Sequence, residues 1–296
     1  MKQNRVVARI KGGLGNQLFC YAAARRMALV NDAELIIDDV SGFTYDDKYR
    51  RRYQLDHFNI DSRKLATGER LTRVGRYLRR AYNARLPFCQ RSYIQQESAD
   101  FDPRLLQIKP RGTVYIEGYW QSEYYFKDVA STIREDLRIT APTDSLNLSI
   151  AQHIRGSSAI AVHVRFFDEP NVLGANNAPS NYYARAIERM ESLVPDAHYF
   201  LFSDQPDAAR TLIRLPNDRV TTVSHNKGDD NAYADLWLMA QCRHFIIANS
   251  TFSWWGAWLS NYSHKQVIAP GFKIQGKERV TSWGFSGLLP DEWIKV

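Results

Sequence analysis

Asn249, Ser250 and Thr251 break an apolar run that extends from Phe245 to Ala248. Trp254, Trp255, Trp258 and Leu259 follow at helical spacing. A buried strand that turns through Ser and Thr into a helix suits an anion. The first backbone N–H groups of the helix have no partner within it, and a phosphate can accept from them. Ser250, Thr251 and Ser253 add hydroxyl donors at the same point. The same residues serve equally well as an ordinary Ser/Thr cap on a core helix, and this stretch alone does not choose. Arg165 follows the β-branched run Ala159 to Val164. A guanidinium at a strand end can grip a phosphate with paired hydrogen bonds, or pair with Asp168 or Glu169. With the Ser/Thr turn it would cradle a diphosphate and stabilise a departing anion without metal. His163 suits a nucleobase contact or a structural bond in the strand. Asp235 can accept two N–H donors from guanine or act as a paired, capping carboxylate. The candidates for a general base are Asp168, Glu169 and Asp38, and nothing in the sequence separates them.

The elements that position these residues alternate. Arg5 to Ile10, Glu34 to Asp39 and Val114 to Glu117 read as strands in the first half. In the second half the strands are Ala159 to Val164, His198 to Phe202, Arg219 to Val223, Phe245 to Ala248 and Gln266 to Ala269. Helices are expected near 17–30, 65–86, 127–137, 181–193, 207–215 and 232–242. The stretch from Ala141 to Ser149, with Pro142 and small polar residues, is the expected linker. This alternation predicts parallel sheets covered by helices, in which ligands gather at the carboxyl ends of strands. His163 to Arg165, Ser203-Asp204 and Asn249 to Thr251 all fall at such ends. The glycines of KGGLGNQLF, Gly12, Gly13 and Gly15, stand in a strand-to-helix turn, beside a ligand or simply in a tight turn.

The chain has 296 residues, 44% of them apolar and 24% charged, which places it with soluble globular proteins. No apolar run approaches the ~18 residues of a membrane span. The VVARI run after Met1-Lys2 is too short for a signal-peptide core, so a cytoplasmic protein is expected. Cys20, Cys89 and Cys242 fit reduced thiols. The net charge of +7 suits an anionic ligand or surface. Arg70, Arg73, Arg76 and Arg80 recur at helical spacing among Leu71, Val74, Leu78 and Ala81. Such a helix either lies on acidic lipid or presents a solvated face. No interleaving of aromatic and basic residues argues for nucleic acid. Asp100 to Asp102 is a D-x-D followed by Pro103, read as a turn, and the histidines lack ligand spacing, so no metal site is expected.

The chain resembles glycosyltransferase family 11, the α-1,2-fucosyltransferases, in its bacterial branch. The likeness runs through KGGLGNQLFCYAAARRMA, RRYQLDHFNI, GYWQSEYYF, HVRFFD, FSDQPD and DLWLMAQCRHFIIANSTFSWWGAWLS. It implies an α/β, GT-B-like enzyme of two Rossmann-like domains facing a cleft. Residues 1–145 would form the acceptor-side domain and 146–296 the GDP-fucose-binding domain. The reaction implied is inverting, metal-independent transfer of L-fucose from GDP-β-L-fucose to a sugar hydroxyl, α-1,2 to galactose, with no cofactor. Surface polysaccharide such as O-antigen would be the product. Partners would be GDP-fucose and an oligosaccharide or lipid-linked glycan acceptor, at the inner membrane face. By the same likeness His163 contacts guanine, Arg165 the diphosphate and Asp235 guanine. Asn249, Ser250, Thr251, Phe252 and Ser253 form the phosphate-side turn, Ser203 and Asp204 lie beside the donor, and Gly15 and Asn16 face it from the other domain. Where the family usually reads H-V-R-R-G-D-Y, this chain has Phe166 and Phe167 in place of the second arginine and the glycine. A different nucleotide-sugar donor, or nucleotide-sugar binding without transfer, are the alternatives.

Overall fold

The computed structural model describes residues 3–47, 49–167, 177–178, 180–271 and 285–296. It divides into two compact units, 1–138 with 285–288, and 139–284 with 289–296. The first unit contains β1 (Arg5–Arg9), α1 (Leu14–Val30), β2 (Glu34–Asp38), β3 (Arg63–Lys64), α2 (Arg73–Ala84), β4 (Tyr93–Gln95), β5 (Thr113–Glu117) and α3 (Ala130–Asp136). The second contains α4 (Ser145–Arg155), β6 (Ala159–Val164), α5 (Ser180–Glu191), β7 (His198–Ser203), α6 (Pro206–Leu212), β8 (Val220–Val223), α7 (Ala232–Ala240), β9 (His244–Ile246), α8 (Thr251–Leu259), β10 (Val267–Ala269) and β11 (Ile294–Lys295).

Each unit is built on one parallel sheet. The first has the order β3-β2-β1-β5-β4 and the second β11-β10-β9-β6-β7-β8. In both, the first strand in sequence sits inside the sheet, and the chain later returns to its other side. All six residues of β6 are buried, as expected of a parallel strand covered on both faces. Its alternation continues past its end. Ile160, Val162, Val164 and Phe166 share one core with Tyr182, Tyr183 and Met190 of α5, which leaves His163 and Arg165 on the opposite face.

The expected linker is partly helical. Asp144 caps α4 by accepting the Asn147 N–H at 2.9 Å, and five of its residues lie within 141–149. The expected helix near 65–86 is confined to α2, which starts after the Thr72 cap.

The start of α8 is fixed from behind. A Cβ on Gly256 would lie 2.3 Å from Met239 Sδ, so only glycine lets α8 lie this close to α7. At the other end Lys265 donates to the carbonyls of Ala257 and Ser260 at 2.8 and 2.9 Å, a cation on the negative end of the helix. Gly256→Ala is therefore expected to destabilise the protein by about 1–3 kcal/mol, through overpacking that outweighs alanine's better helix propensity. Thermal unfolding would check this; an unchanged or raised melting temperature would contradict the packing argument.

Candidate active site

The strand order of the second unit reverses between β6 and β9. At such a switch point neighbouring connections leave the sheet in opposite directions, and a crevice opens at the carboxyl ends of the strands. Val162 is in register with Ile246, so the residues after β6 and after β9 leave the sheet side by side. The first contributes His163 and Arg165, the second Asn249 to Ser253. The His163 and Phe252 rings meet at 5.5 Å between centroids, which ties the end of β6 to the first turn of α8.

Two tyrosines hold these strand ends. The Tyr183 hydroxyl donates to the His163 carbonyl at 3.2 Å, and the Tyr182 hydroxyl donates to the Ile247 carbonyl at 2.7 Å, with the Ile268 carbonyl at 3.0 Å. Their pairing on α5 was not singled out from sequence. Two adjacent tyrosines early in a helix were the available signal.

His163 is buried, and its Nδ1 has no hydrogen-bond partner among the described residues. Burial, and then the charge of Arg165, push its pKa down to about 3, so the ring is neutral. A buried imidazole nitrogen without a partner is costly unless something else bonds it. Arg165 pairs with Asp204 at 3.2 Å and lies over the Phe167 ring at 5.7 Å. Asp204 also accepts the Phe166 N–H at 3.1 Å, so its two oxygens hold the backbone and the guanidinium of the same segment. The ion-pair partner considered from sequence was Asp168 or Glu169; both lie outside the described residues. Ser203 caps its own turn by accepting the Gln205 N–H at 3.1 Å.

The residues expected at the phosphate-side turn form a Ser cap on α8. Ser250 Oγ accepts the Phe252 N–H at 3.3 Å, and Ser253 Oγ donates to the Ser250 carbonyl at 3.3 Å. Thr251 N–H and Ser253 N–H remain at the positive end of α8 without an intrahelical acceptor. Asn249 is buried just before them.

Asp235, in the first turn of α7, accepts from Asn226 at 2.8 Å. Asn226 and Asn147 exchange side-chain hydrogen bonds at 2.9 Å, and Asn147 donates to Asp144 at 2.8 Å. Among the described residues the carboxyl of Asp235 thus has one neutral donor. Burial pushes its pKa up to about 7, against that single bond.

In the first unit the reversal lies between β1 and β5. Gly15 is buried in the first turn of α1, and Asn16 accepts from Gln121 at 2.7 Å. Gly12, at φ +79°, makes the turn that precedes them. Gln17, not anticipated, donates to the carbonyls of Gly12 and Arg52, both at 2.9 Å, and locks that turn. Asp38 is committed elsewhere: its oxygens accept the Ser41 N–H and hydroxyl at 2.9 and 2.5 Å. Asp102 caps a short 3-10 helix, Pro103–Gln107, and bonds Arg104, while Asp100 accepts the Ser286 N–H at 2.8 Å. A depression of about 570 Å³ lies in this unit, lined by Phe101, Leu106, Tyr124, Lys127 and Asp128, and holds none of the strand-end residues.

The family model for glycosyl transferase family 11 matches residues 81–281. The chain belongs to glycosyl transferase family 11. Two Escherichia coli proteins are similar over almost their whole length. The α-1,2-colitosyltransferase is 29% identical over 98% of each chain. The O-antigen biosynthesis glycosyltransferase WbnK is 27% identical over 97% of this chain and 99% of its own. Among solved structures, a variant of Arabidopsis thaliana FUT1 in complex with GDP has a TM-score of 0.57 at 14% identity, over 98% of this chain and 75% of that one. The fucosyltransferase NodZ from Bradyrhizobium has a TM-score of 0.53 at 16% identity, over 87% and 93%. These share the GT-B-like α/β fold, and this family 11 member is a glycosyltransferase.

The Asp235 environment has a measurable consequence. The folded carboxyl binds its proton up to about pH 7, the unfolded one only to about the ordinary 3.8. Folding therefore takes up a proton in that window, and stability falls as pH rises through it. Asp235→Asn keeps an acceptor for Asn226 without the charge. It is expected to gain about 2 kcal/mol on the wild type between pH ~5 and pH ~8. Chemical denaturation at the two pH values would show it; a pH-independent difference would mean that Asp235 is not buried as a strained carboxylate.

Proposed function

We propose that the protein is an inverting, metal-independent fucosyltransferase that moves L-fucose from GDP-β-L-fucose to O2 of a galactose in O-antigen-type surface polysaccharide. The observation that carries this reading is His163 Nδ1, buried at the end of β6 without a partner among the described residues, beside Arg165 and the start of α8. Guanine offers N–H donors to the Asp235 carboxylate and a hydrogen-bonding edge to His163 Nδ1. The diphosphate suits Arg165, Thr251 and the N–H groups that begin α8, whereas the Ser253 hydroxyl is buried and spent on the Ser250 carbonyl. The names of the two Escherichia coli relatives supply the α-1,2 linkage and the O-antigen setting.

In the mechanism that follows, the acceptor hydroxyl attacks the fucose anomeric carbon as its bond to the diphosphate oxygen breaks. The configuration inverts, and GDP departs with the bonding electrons. Arg165 and the α8 N–H groups are fixed before reaction and meet the growing charge on the diphosphate. Asp204 is a positioning residue that holds Arg165 on this side of the sheet. The proton of the acceptor goes to a carboxylate. Asp38 has both oxygens bonded to Ser41, which leaves Asp168 and Glu169 as the candidates. Phe166 cannot replace a second phosphate-binding arginine, because it is buried in the core. We place the acceptor, an oligosaccharide or lipid-linked glycan, with the first unit and the protein at the inner membrane face.

A second donor has a specific basis. The relative named α-1,2-colitosyltransferase makes a colitose nucleotide an alternative to GDP-fucose. Turnover assays with a panel of donors would separate the two, and no turnover with any of them would favour a nucleotide-sugar-binding protein.

Arg165→Ala is expected to lower kcat by about 10²–10³-fold with an unchanged melting temperature. Near-normal turnover would remove Arg165 from the mechanism. In calorimetric titration GDP and GDP-fucose are expected to bind and UDP not, with and without EDTA. Loss of binding in EDTA would return Asp100 and Asp102 as metal candidates.

A further inference from the structure

The helix α2 is mounted the opposite way from an ordinary amphipathic helix. Its polar side faces the protein. Asn83 is buried and accepts the N–H groups of Ser92 and Tyr93 at 2.6 and 3.1 Å, which docks the helix on the edge strand β4. Arg79 lies over the Tyr115 ring at 5.0 Å, and Arg76 donates to the Leu71 carbonyl at 3.0 Å. The apolar side chains point outward: Val74, Tyr77, Leu78 and Tyr82 are 66%, 70%, 60% and 64% exposed. Solvent-facing helices normally show the reverse pattern.

Charge surrounds this stripe. From Arg70 to Gln96 the chain has seven arginines (Arg70, Arg73, Arg76, Arg79, Arg80, Arg85, Arg91) and no lysine, aspartate or glutamate. That equals the net charge of +7 for the whole protein, so the remainder is balanced. Beside the stripe lies a depression of about 220 Å³ whose lining includes Arg9, Arg73, Arg76, Tyr77, Arg80 and Glu117. Glu117 is already held by Arg9 at 2.6 Å and by the Tyr93 hydroxyl at 2.5 Å. Among the described residues neither Arg73 nor Arg80 has a carboxylate within ion-pair distance.

We propose that α2 seats the first unit on an anionic phospholipid bilayer, with Val74, Tyr77, Leu78 and Tyr82 in the interface and Arg73 and Arg80 on lipid phosphates. Outward apolar side chains flanked by arginine match the chemistry of a headgroup boundary. A second copy of this chain is a poor occupant, because a two-fold contact would set one arginine run against the other. No helix among the described residues is long and apolar enough to cross a membrane, so attachment would be by this surface. The proposal deepens the peripheral placement offered above and does not depend on the donor.

The test is co-sedimentation with vesicles of phosphatidylcholine alone and of phosphatidylcholine mixed with phosphatidylglycerol. The wild type is expected to pellet with the mixed vesicles only, and less in high salt. Val74→Asp combined with Leu78→Asp is expected to abolish pelleting. Arg73→Gln combined with Arg80→Gln is expected to weaken it by about five-fold per arginine. These residues are exposed, so melting temperature and GDP titration should match the wild type. A failure of GDP to bind any form would count against the donor reading and leave the vesicle result standing. Equal pelleting with both vesicle types, no pelleting, or variants that pellet like the wild type would overturn the proposal. So would a concentration-dependent dimer in sedimentation velocity that Val74→Asp with Leu78→Asp abolishes.

Discussion

A parallel sheet that grows outward in both directions from an interior strand must somewhere reverse its order, and everything placed at the candidate site depends on that reversal. In the second unit the chain adds β7 and β8 on one side of β6, then returns to add β9, β10 and β11 on the other. The connections after β6 and β9 therefore part company, and no element can fill the gap between them without breaking the right-handed crossovers that parallel strands require. The crevice is a consequence of topology before any side chain is chosen. Sequence then decides what lines it: the outward face of β6 supplies His163 and Arg165, and the turn after β9 supplies the start of α8.

Keeping Arg165 at this edge has an electrostatic cost, and Asp204 offsets it. One carboxylate oxygen takes the Phe166 N–H and the other faces the guanidinium at 3.2 Å. The pair is partly exposed, and its worth to stability is small. Its geometry matters more, since a side chain with many rotamers is confined to one side of the strand end before any anion arrives. Asp235 shows the opposite balance. A carboxyl that burial raises to about 7, with one amide as its partner among the described residues, destabilises the fold at neutral pH.

Much of this was legible from the chain, for physical reasons that also explain what was not. The strands β6, β7 and β9 are apolar runs buried on both faces, so burial wrote itself directly into composition. The two-residue strands β3 and β11 pair at sheet edges and are too short to carry any period. The helix α4 was hidden by Pro142 and small polar residues, although Asp144 ahead of it is an ordinary cap signal. Phe166 could have been placed: alternation from Ile160 through Val162 and Val164 puts it on the core face, where an arginine could not sit without a partner. The Asp235–Asn226–Asn147–Asp144 chain was not recoverable, because it joins residues up to 91 positions apart through side chains alone. Nor was the outward apolar face of α2. Periodicity shows that a helix has two faces but not which one meets the protein, and only the Asn83 bonds to Ser92 and Tyr93 settle that.

The two units repeat one architecture, and comparing their reversal points shows how function can be read from bonding that is left incomplete. At the first, Arg9 reaches Glu117, Ser41 and the Ser41 carbonyl, Tyr93 bonds Glu117, and Gln121 bonds Asn16. Burial disfavours the Glu117 charge, yet the Tyr93 hydroxyl, Arg9 and Lys11 hold its carboxyl below the usual range. These groups bond one another, so the network acts as a brace. At the second, among the described residues, His163 Nδ1 is buried without a partner and Arg165 has one ion pair, at 3.2 Å, while the first N–H groups of α8 lie beyond the reach of the helix's own carbonyls. Folded chains satisfy nearly all buried polar groups, so His163 Nδ1 is the exception at these strand ends that calls for an explanation. The same fold thus carries a densely bonded brace in one half and a sparser set of polar groups at the strand ends of the other.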